Sequence, residues 1–311
     1  MSLIKKYFPL TLKGIAMGAA DVVPGVSGGT IAFISGIYEE LLDSLKSFNG
    51  TAVKKLFKEG FGSFWQHING WFLLFLVAGI GISILSLSKL ILYLLDTYPS
   101  LIWSFFFGLV VASAIFVAST IKKWSWDVIV AAIIGTAIAY YVTIATPSHT
   151  SEQLWFIFIT GMIAICAMIL PGISGSFILL LMGKYEFILN SLNSLKFDII
   201  LTFIAGCFIG ITSFSHVLSW MLKKYHNVTV ALLTGFMFGS LNKVWPWKKV
   251  LERQEIDGEI KILREANILP ADYTALTGLP HYAIWCILLA VFAFVLIYFI
   301  EKMANKKHKI I

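Results

Sequence analysis

The chain has 311 residues, 58% hydrophobic and 13% charged, with a formal net charge of +7 and a mean hydropathy of +0.84. Soluble domains carry about a quarter of their residues as charged side chains, so a soluble globular class is excluded. The positive balance is no nucleic-acid footprint either, because lysines cluster at Lys5-Lys6, Lys54-Lys55-Lys58, Lys122-Lys123, Lys223-Lys224 and Lys302 to Lys309, beside or between apolar windows.

Residues 9–23 predict a helix of about 22 Å, too short for a hydrocarbon layer of about 30 Å. Pro24-Gly25-Val26-Ser27-Gly28 breaks it, and 30–45 predicts a second short arm. Together they read as a re-entrant hairpin over 9–46. Lys5-Lys6 followed by Gly18-Ala19-Ala20 has the outline of a secretory signal, but the same motif recurs mid-chain, where no signal peptide sits. A polar stretch follows at 47–69, then apolar windows at 70–95, 99–121 and 126–146.

The segment 161–192 repeats 14–45 without a gap, with thirteen identities in 32 positions, among them Pro24/Pro171, Gly25/Gly172, Ser27/Ser174, Gly28/Gly175, Gly36/Gly183, Tyr38/Tyr185 and Glu39/Glu186. The similarity continues at a shifted offset, pairing Gly79 with Gly206, Tyr98 with Tyr225 and Gly108 with Gly235. Apolar windows at 198–222 and 227–245, a charged loop at 246–280 and a last window at 281–300 complete the chain. The expected fold is therefore an all-α polytopic membrane protein of two inverted-topology repeats. The first occupies 1–125, a linking helix 126–146, the second 153–245, an external polar loop 246–280, and a C-terminal helix with a basic tail 281–311. Three crossings between the hairpins invert the second half, and with both termini cytoplasmic the basic clusters all fall inside. Inverted repeats with broken helices mark secondary transporters.

Unpaired backbone groups cannot face lipid, so the breaks belong where protein or water meets them. A broken helix presents free N–H groups and a positive dipole end, which favour an anion. The candidate phosphate-binding residues are Pro24, Gly25, Ser27, Gly28, Gly29 and Thr30 in one tip, and Pro171, Gly172, Ser174, Gly175 and Ser176 in the other. Small residues also serve close helix packing, the competing account of the glycines. Asp21 sits just before the first break and is a candidate proton carrier or a hydrogen-bonding brace; Glu39 and Glu186 are candidates for gating, or solvated helix-end acids. Lys89 and His216 occupy equivalent places in the two halves, as phosphate contacts or as a snorkelling lysine and a core histidine. Cys166, Cys207 and Cys286 lie in apolar segments without metal-ligand spacing and read as packing thiols; neither a metal nor a cofactor is expected.

"MGAADVVPGVSGGTIAFISGIYE" with "LPGISGSFILLLMGKYE" resembles the bacterial polyprenyl-phosphate transporter family, along essentially the whole chain. The resemblance implies a plasma-membrane carrier, not an enzyme, that returns undecaprenyl phosphate from the outer to the inner leaflet for cell-wall synthesis. Its partners would be that lipid and the surrounding membrane lipids, with no nucleic acid; the oligomeric state is open, a homodimer included. Met168 replaces the acid in the second motif, which puts strict functional symmetry in doubt. A small-anion channel or exchanger is the alternative that broken helices leave standing. A lipid phosphatase fits poorly, since both arginines (Arg253 and Arg264) lie in one loop and no paired histidines share a site.

Overall fold

The computed structural model describes residues 3–23, 26–145, 150–256 and 259–308. The first motif forms α1 (Leu3–Val22), α2 (Gly28–Ile34) and α3 (Tyr38–Lys46). The polar stretch forms α4 (Gly50–Lys58) and α5 (Phe61–His67), followed by α6 (Gly70–Ser86), α7 (Ser88–Thr97), α8 (Pro99–Ser119) and α9 (Trp126–Ile144). The second motif gives α10 (Leu154–Ile169), α11 (Gly175–Leu181) and α12 (Tyr185–Asn193), then α13 (Phe197–Lys224) and α14 (His226–Ser240). Two strands, β1 (Lys248–Ile256) and β2 (Glu259–Asn267), precede α15 (Pro270–Thr277) and α16 (Ala283–His308). Among the described residues α8, α9 and α13 are long and apolar enough to cross a membrane, and the bent pair α5–α6 makes a fourth.

The structure corrects four expectations. The first helix begins at Leu3 and carries Pro9 inside it, so its 20 residues reach about 30 Å and re-entry cannot rest on its shortness. Each second arm is itself broken. Gly36 (φ +70) and Gly183 (φ +62) end α2 and α11 in the left-handed conformation that glycine adopts without a Cβ clash. In each, the next N–H reaches back five residues, Ile37 to the Ala32 carbonyl and Lys184 to that of Leu179, both at 2.9–3.0 Å, the Schellman end of a helix. The third correction is to all-α: the charged loop holds an antiparallel ribbon, with Lys248 opposite Asn267 and Val250 opposite Glu265. Charged and aliphatic residues alternate from Glu259 to Ile262 in β2, the period of a strand. The window 70–95 also divides at Leu87, one residue past Ser86, whose hydroxyl donates to the Ile82 carbonyl at 2.6 Å. Back-bonding of this kind bends helices.

Helix packing recurs between the halves. α1 packs on α6 and α10 on α13, while α8 packs on α16 and α14 on α9. A Cβ at Gly79 would collide with the Thr11 carbonyl, and one at Gly206 with that of Phe158, the residue matching Thr11 in the repeat. Likewise a Cβ at Gly108 would strike the Ala290 carbonyl and one at Gly235 that of Ala132. Backbones this close need small residues, which let helices pack tightly where lipid offers no hydrophobic drive. One core cluster runs through both motifs, including Val23, Val26 and Leu42 from the first and Ile169 and Ile173 from the second. A smaller cluster of Trp247, Tyr273 and Cys286 ties the ribbon to the start of α16, and the Trp247 indole N–H donates to the His281 carbonyl at 2.8 Å.

Candidate functional site

A helix that stops inside a membrane leaves its last carbonyls without partners. The end of α10 is satisfied by the first motif. The Ser27 hydroxyl lies 3.2 Å from the Met168 carbonyl and 3.1 Å from that of Leu170. Tyr38 donates its hydroxyl to the intervening Ile169 carbonyl at 3.1 Å. In return the Gly172 N–H donates to Thr30 Oγ1 at 3.1 Å. The two breaks thus cross, with Ser27, Thr30 and Tyr38 all buried. Gly29 has no room for a side chain, because a Cβ there would collide with the Ile169 carbonyl. Gly172 needs glycine twice over: its φ is +84, and a Cβ would stand 2.9 Å from the Phe236 carbonyl and from Ser240 Oγ.

The two helix starts at the crossing differ. Asp21, on the last turn of α1, accepts the Gly28 N–H at 2.7 Å, and Ser27 Oγ accepts that of Gly29 at 3.1 Å. The first N–H groups of α2, the donors an anion would use, are therefore held by a carboxylate and a hydroxyl. In α11 the acid is missing, and its Ser174 N-cap makes no side-chain hydrogen bond to the helix start. The Ser174 hydroxyl instead meets that of Ser176 at 2.8 Å. Ser174, Gly175 and Pro171 are buried and Ser176 is exposed. A Cβ at Gly175 would stand 2.7 Å from the Ala164 carbonyl. Pro24 and Gly25 lie outside the described residues.

The sequence profile of the undecaprenyl phosphate translocase-like family (VCA0040-like) matches residues 17–261, which take in both breaks. The chain belongs to this family. Among curated relatives it is 46% identical over 301 residues to a polyprenyl-phosphate transporter of Vibrio cholerae serotype O1, covering 96% of this chain and 98% of that protein. A polyprenyl-phosphate transporter of Staphylococcus aureus is 33% identical over 253 residues, 76% of this chain and 85% of that one. No solved structure matches. With its apolar spanning helices and these relatives, the chain is a membrane protein.

The remaining expected residues stand away from the crossing. Glu39 is exposed in the first turn of α3 and Glu186 half-buried in that of α12. Lys184, beside Glu186, is buried and donates to the Thr150 carbonyl at 2.8 Å. Lys89 is exposed at the start of α7. His216 is exposed on α13, its Nδ1 2.8 Å from the Thr212 carbonyl. It lines an open cavity of about 690 Å³ with Lys46, Ser219 and Lys223. There Asp43 is the hub, accepting from Lys46 at 2.5 Å, Ser219 at 2.8 Å and Lys223 at 3.0 Å. Sequence reasoning missed Asp43 and gave Tyr38 no role. The duplication of Tyr38 in Tyr185 was the available signal for one; Asp43 had none, since its partners Ser219 and Lys223 lie more than 170 positions away.

Proposed function

We propose that the chain carries undecaprenyl phosphate from the outer to the inner leaflet of the bacterial plasma membrane, for reuse in cell-wall synthesis, and is not an enzyme. The two broken-helix motifs form the central phosphate site of two inverted repeats, each hairpin re-entering from its own side, with both termini cytoplasmic. The observation that carries the reading is the crossing of the breaks, where Ser27, Thr30 and Tyr38 of one motif hold the backbone of the other. It supports a single central site rather than two independent packing kinks. The glycine contacts that recur between halves support the repeat and extend it, pairing α9 with α16 as the third crossing of each. The names of the relatives support the cargo.

In this reading Asp21 holds the place of the cargo. Its carboxylate sits on the Gly28 N–H as a phosphate oxygen would. Protonating Asp21 removes the negative charge and weakens that hydrogen bond, which frees the start of α2; an arriving phosphate then takes the N–H groups, while α11 offers its uncapped start from the other half. A phosphate monoester carries about −1.5 to −2 charges, and each charge moved inward against the membrane potential costs about 2.3 kcal/mol per 100 mV. A proton carried with it offsets part of that cost. The test is a leaflet-resolved assay with purified protein in liposomes. Undecaprenyl phosphate supplied outside should become inaccessible to an external phosphatase only when protein is present. Equal loss in protein-free liposomes, or movement of small anions without the lipid, would overturn the proposal.

A further inference from the structure

Away from the crossing, the described residues form a cavity of mixed polar and apolar lining, between the ends of α9 and α11 and the base of the ribbon. Its volume is about 330 Å³, and its walls include Tyr140 and Thr143 of α9, Phe177 and Leu181 of α11, and Asn242. Three charged groups enter it, and all come from the segment that follows α14. Lys243 Nζ is 3.1 Å and Lys248 Nζ 3.6 Å from the same oxygen, Oε2 of Glu265. Lys248 also donates to the Lys243 carbonyl at 2.6 Å and lies 3.7 Å over the ring of Trp103. Lys243 lies 4.8 Å over the ring of Phe177. The side chain of Lys248 is 7% exposed, and those of Lys243 and Glu265 are each 20% exposed.

With both lysines protonated, two ammonium groups share one carboxylate oxygen, and the chamber then holds an excess positive charge in a largely buried place. Burying an ammonium without full compensation is costly, and a further anion beside the two lysines would offset that cost. Aromatic faces under both ammonium groups fix their positions, leaving them aimed at one point. The ligand that fits is a dianion able to accept from both lysines at once, and a phosphate monoester does so. The chamber is joined to the crossing through the chain. Lys243 comes three residues after Ser240, whose hydroxyl faces Gly172 of the second break, and the Lys243 N–H donates to the Ser240 carbonyl at 2.8 Å. Phe177 belongs to the helix that starts at that break.

We propose that Lys243 and Lys248 form a reception site for a phosphate monoester on the outer face, with Glu265 as the internal anion that the phosphate displaces. Assigning that phosphate to the lipid headgroup rests on the carrier reading above; the phosphate site itself does not. Apolar walls at Leu181 and Leu251 give the first isoprene units a surface. The ribbon serves this site by holding two of its three charges in place, with Lys248 and Glu265 standing near its open end.

The test is equilibrium binding to full-length protein in nanodiscs, with radiolabelled inorganic phosphate and farnesyl phosphate as probes and farnesol as the phosphate-free control. Lys243→Gln and Lys248→Gln should each weaken farnesyl phosphate binding by about tenfold, the loss of one charged hydrogen bond. Glu265→Gln should strengthen it, because the competing carboxylate is gone; that variant keeps the test decisive if Lys248→Gln does not fold. Tighter binding of farnesyl phosphate than of inorganic phosphate supports the lipid headgroup as the source. Equal affinities support the phosphate site and assign it to free phosphate. Unchanged affinity in both lysine variants, weaker binding in Glu265→Gln, or equal binding of farnesol would overturn the proposal. If liposomes move no lipid while lysine-dependent phosphate binding persists, the carrier reading falls and the site stands. If lipid moves normally and with unchanged concentration dependence in Lys243→Gln, the assignment of the site to the lipid headgroup falls and the carrier reading stands.

Discussion

Gly29 and Gly36 separate two reasons for a glycine. Gly29 touches a neighbouring carbonyl, so Gly29→Ala forces the two breaks apart and is expected to cost about 1–3 kcal/mol of stability and to abolish transport. Gly36 has open space around it and a φ of +70, so Gly36→Ala should cost about 1–2 kcal/mol from backbone strain alone and leave transport running. Thermal unfolding in detergent beside the leaflet assay checks both; equal transport by the two variants would deny the crossing its role. Ser27→Ala removes a helix cap and a donor to α10 together, for about 0.5–2 kcal/mol. Asp21→Asn keeps an oxygen for the Gly28 N–H but cannot carry a proton. With an acid-outside pH gradient at zero membrane potential, wild-type transport should accelerate and the Asn variant should not, while downhill exchange persists in part. An Asn variant that still responds fully would move the carrier role to Glu39 or Glu186.

The ribbon illustrates how an element sets the charge of its own residues. Burial drives the Lys248 ammonium down to about 7, with Glu265 opposing the shift and Lys243 adding to it. Burial alone would raise the Glu265 carboxyl, but Lys248 and Lys243 beside it hold it below its ordinary value. Tyr140 of α9 is the other titratable group on the chamber wall. An unfolded lysine keeps its proton to about 10.5. Between about 7 and 10.5 the unfolded chain therefore binds more protons than the folded one, and stability rises with pH across that window. Below about 7 Lys248 is charged in both states and the burial penalty is complete. Melting temperatures of the wild type and of Lys248→Met, compared from about pH 6 to pH 9, should diverge: the wild type gains relative to the variant as pH rises. Parallel curves would mean that the ammonium is not penalised where it sits.

For the whole molecule the expectation is orientation. In the proposed orientation, drawn from the lysine clusters, 46–69, 122–125, 223–226 and the C-terminal tail would lie in the cytoplasm. Single cysteines at Ser148 and Glu259, in a background lacking Cys166, Cys207 and Cys286, should react with an impermeant reagent from outside, and one at Asn305 should not. Labelling of the opposite set would overturn the inverted arrangement. In this orientation the two charged cavities face opposite ways. The Asp43–Lys46–Lys223 cluster with His216 would open inward and the Lys243–Lys248–Glu265 chamber outward.

What the sequence determined alone was whatever repeats or runs along the chain. Duplicated Pro-Gly-x-Ser-Gly motifs located both breaks, and apolar windows located α8, α9, α13 and the start of α16 to within a few residues, because lipid demands long uninterrupted runs. Motif similarity was also enough to reach the family. Tertiary structure decided which groups each break uses. That Ser27 serves the end of α10 and that Thr30 holds Gly172 are facts of two segments about 140 positions apart, and no local pattern encodes such a meeting. Even the closer bond, Asp21 to the start of α2, depends on how the chain turns at the break. The same holds for the basic chamber. Lys243, Lys248 and Glu265 look like ordinary solvated loop charges in the sequence, and only the fold of the ribbon against α9 and α11 buries them together. Desolvation, which gives a lysine a changed charge and a ligand, is a property of the neighbours a residue meets in space.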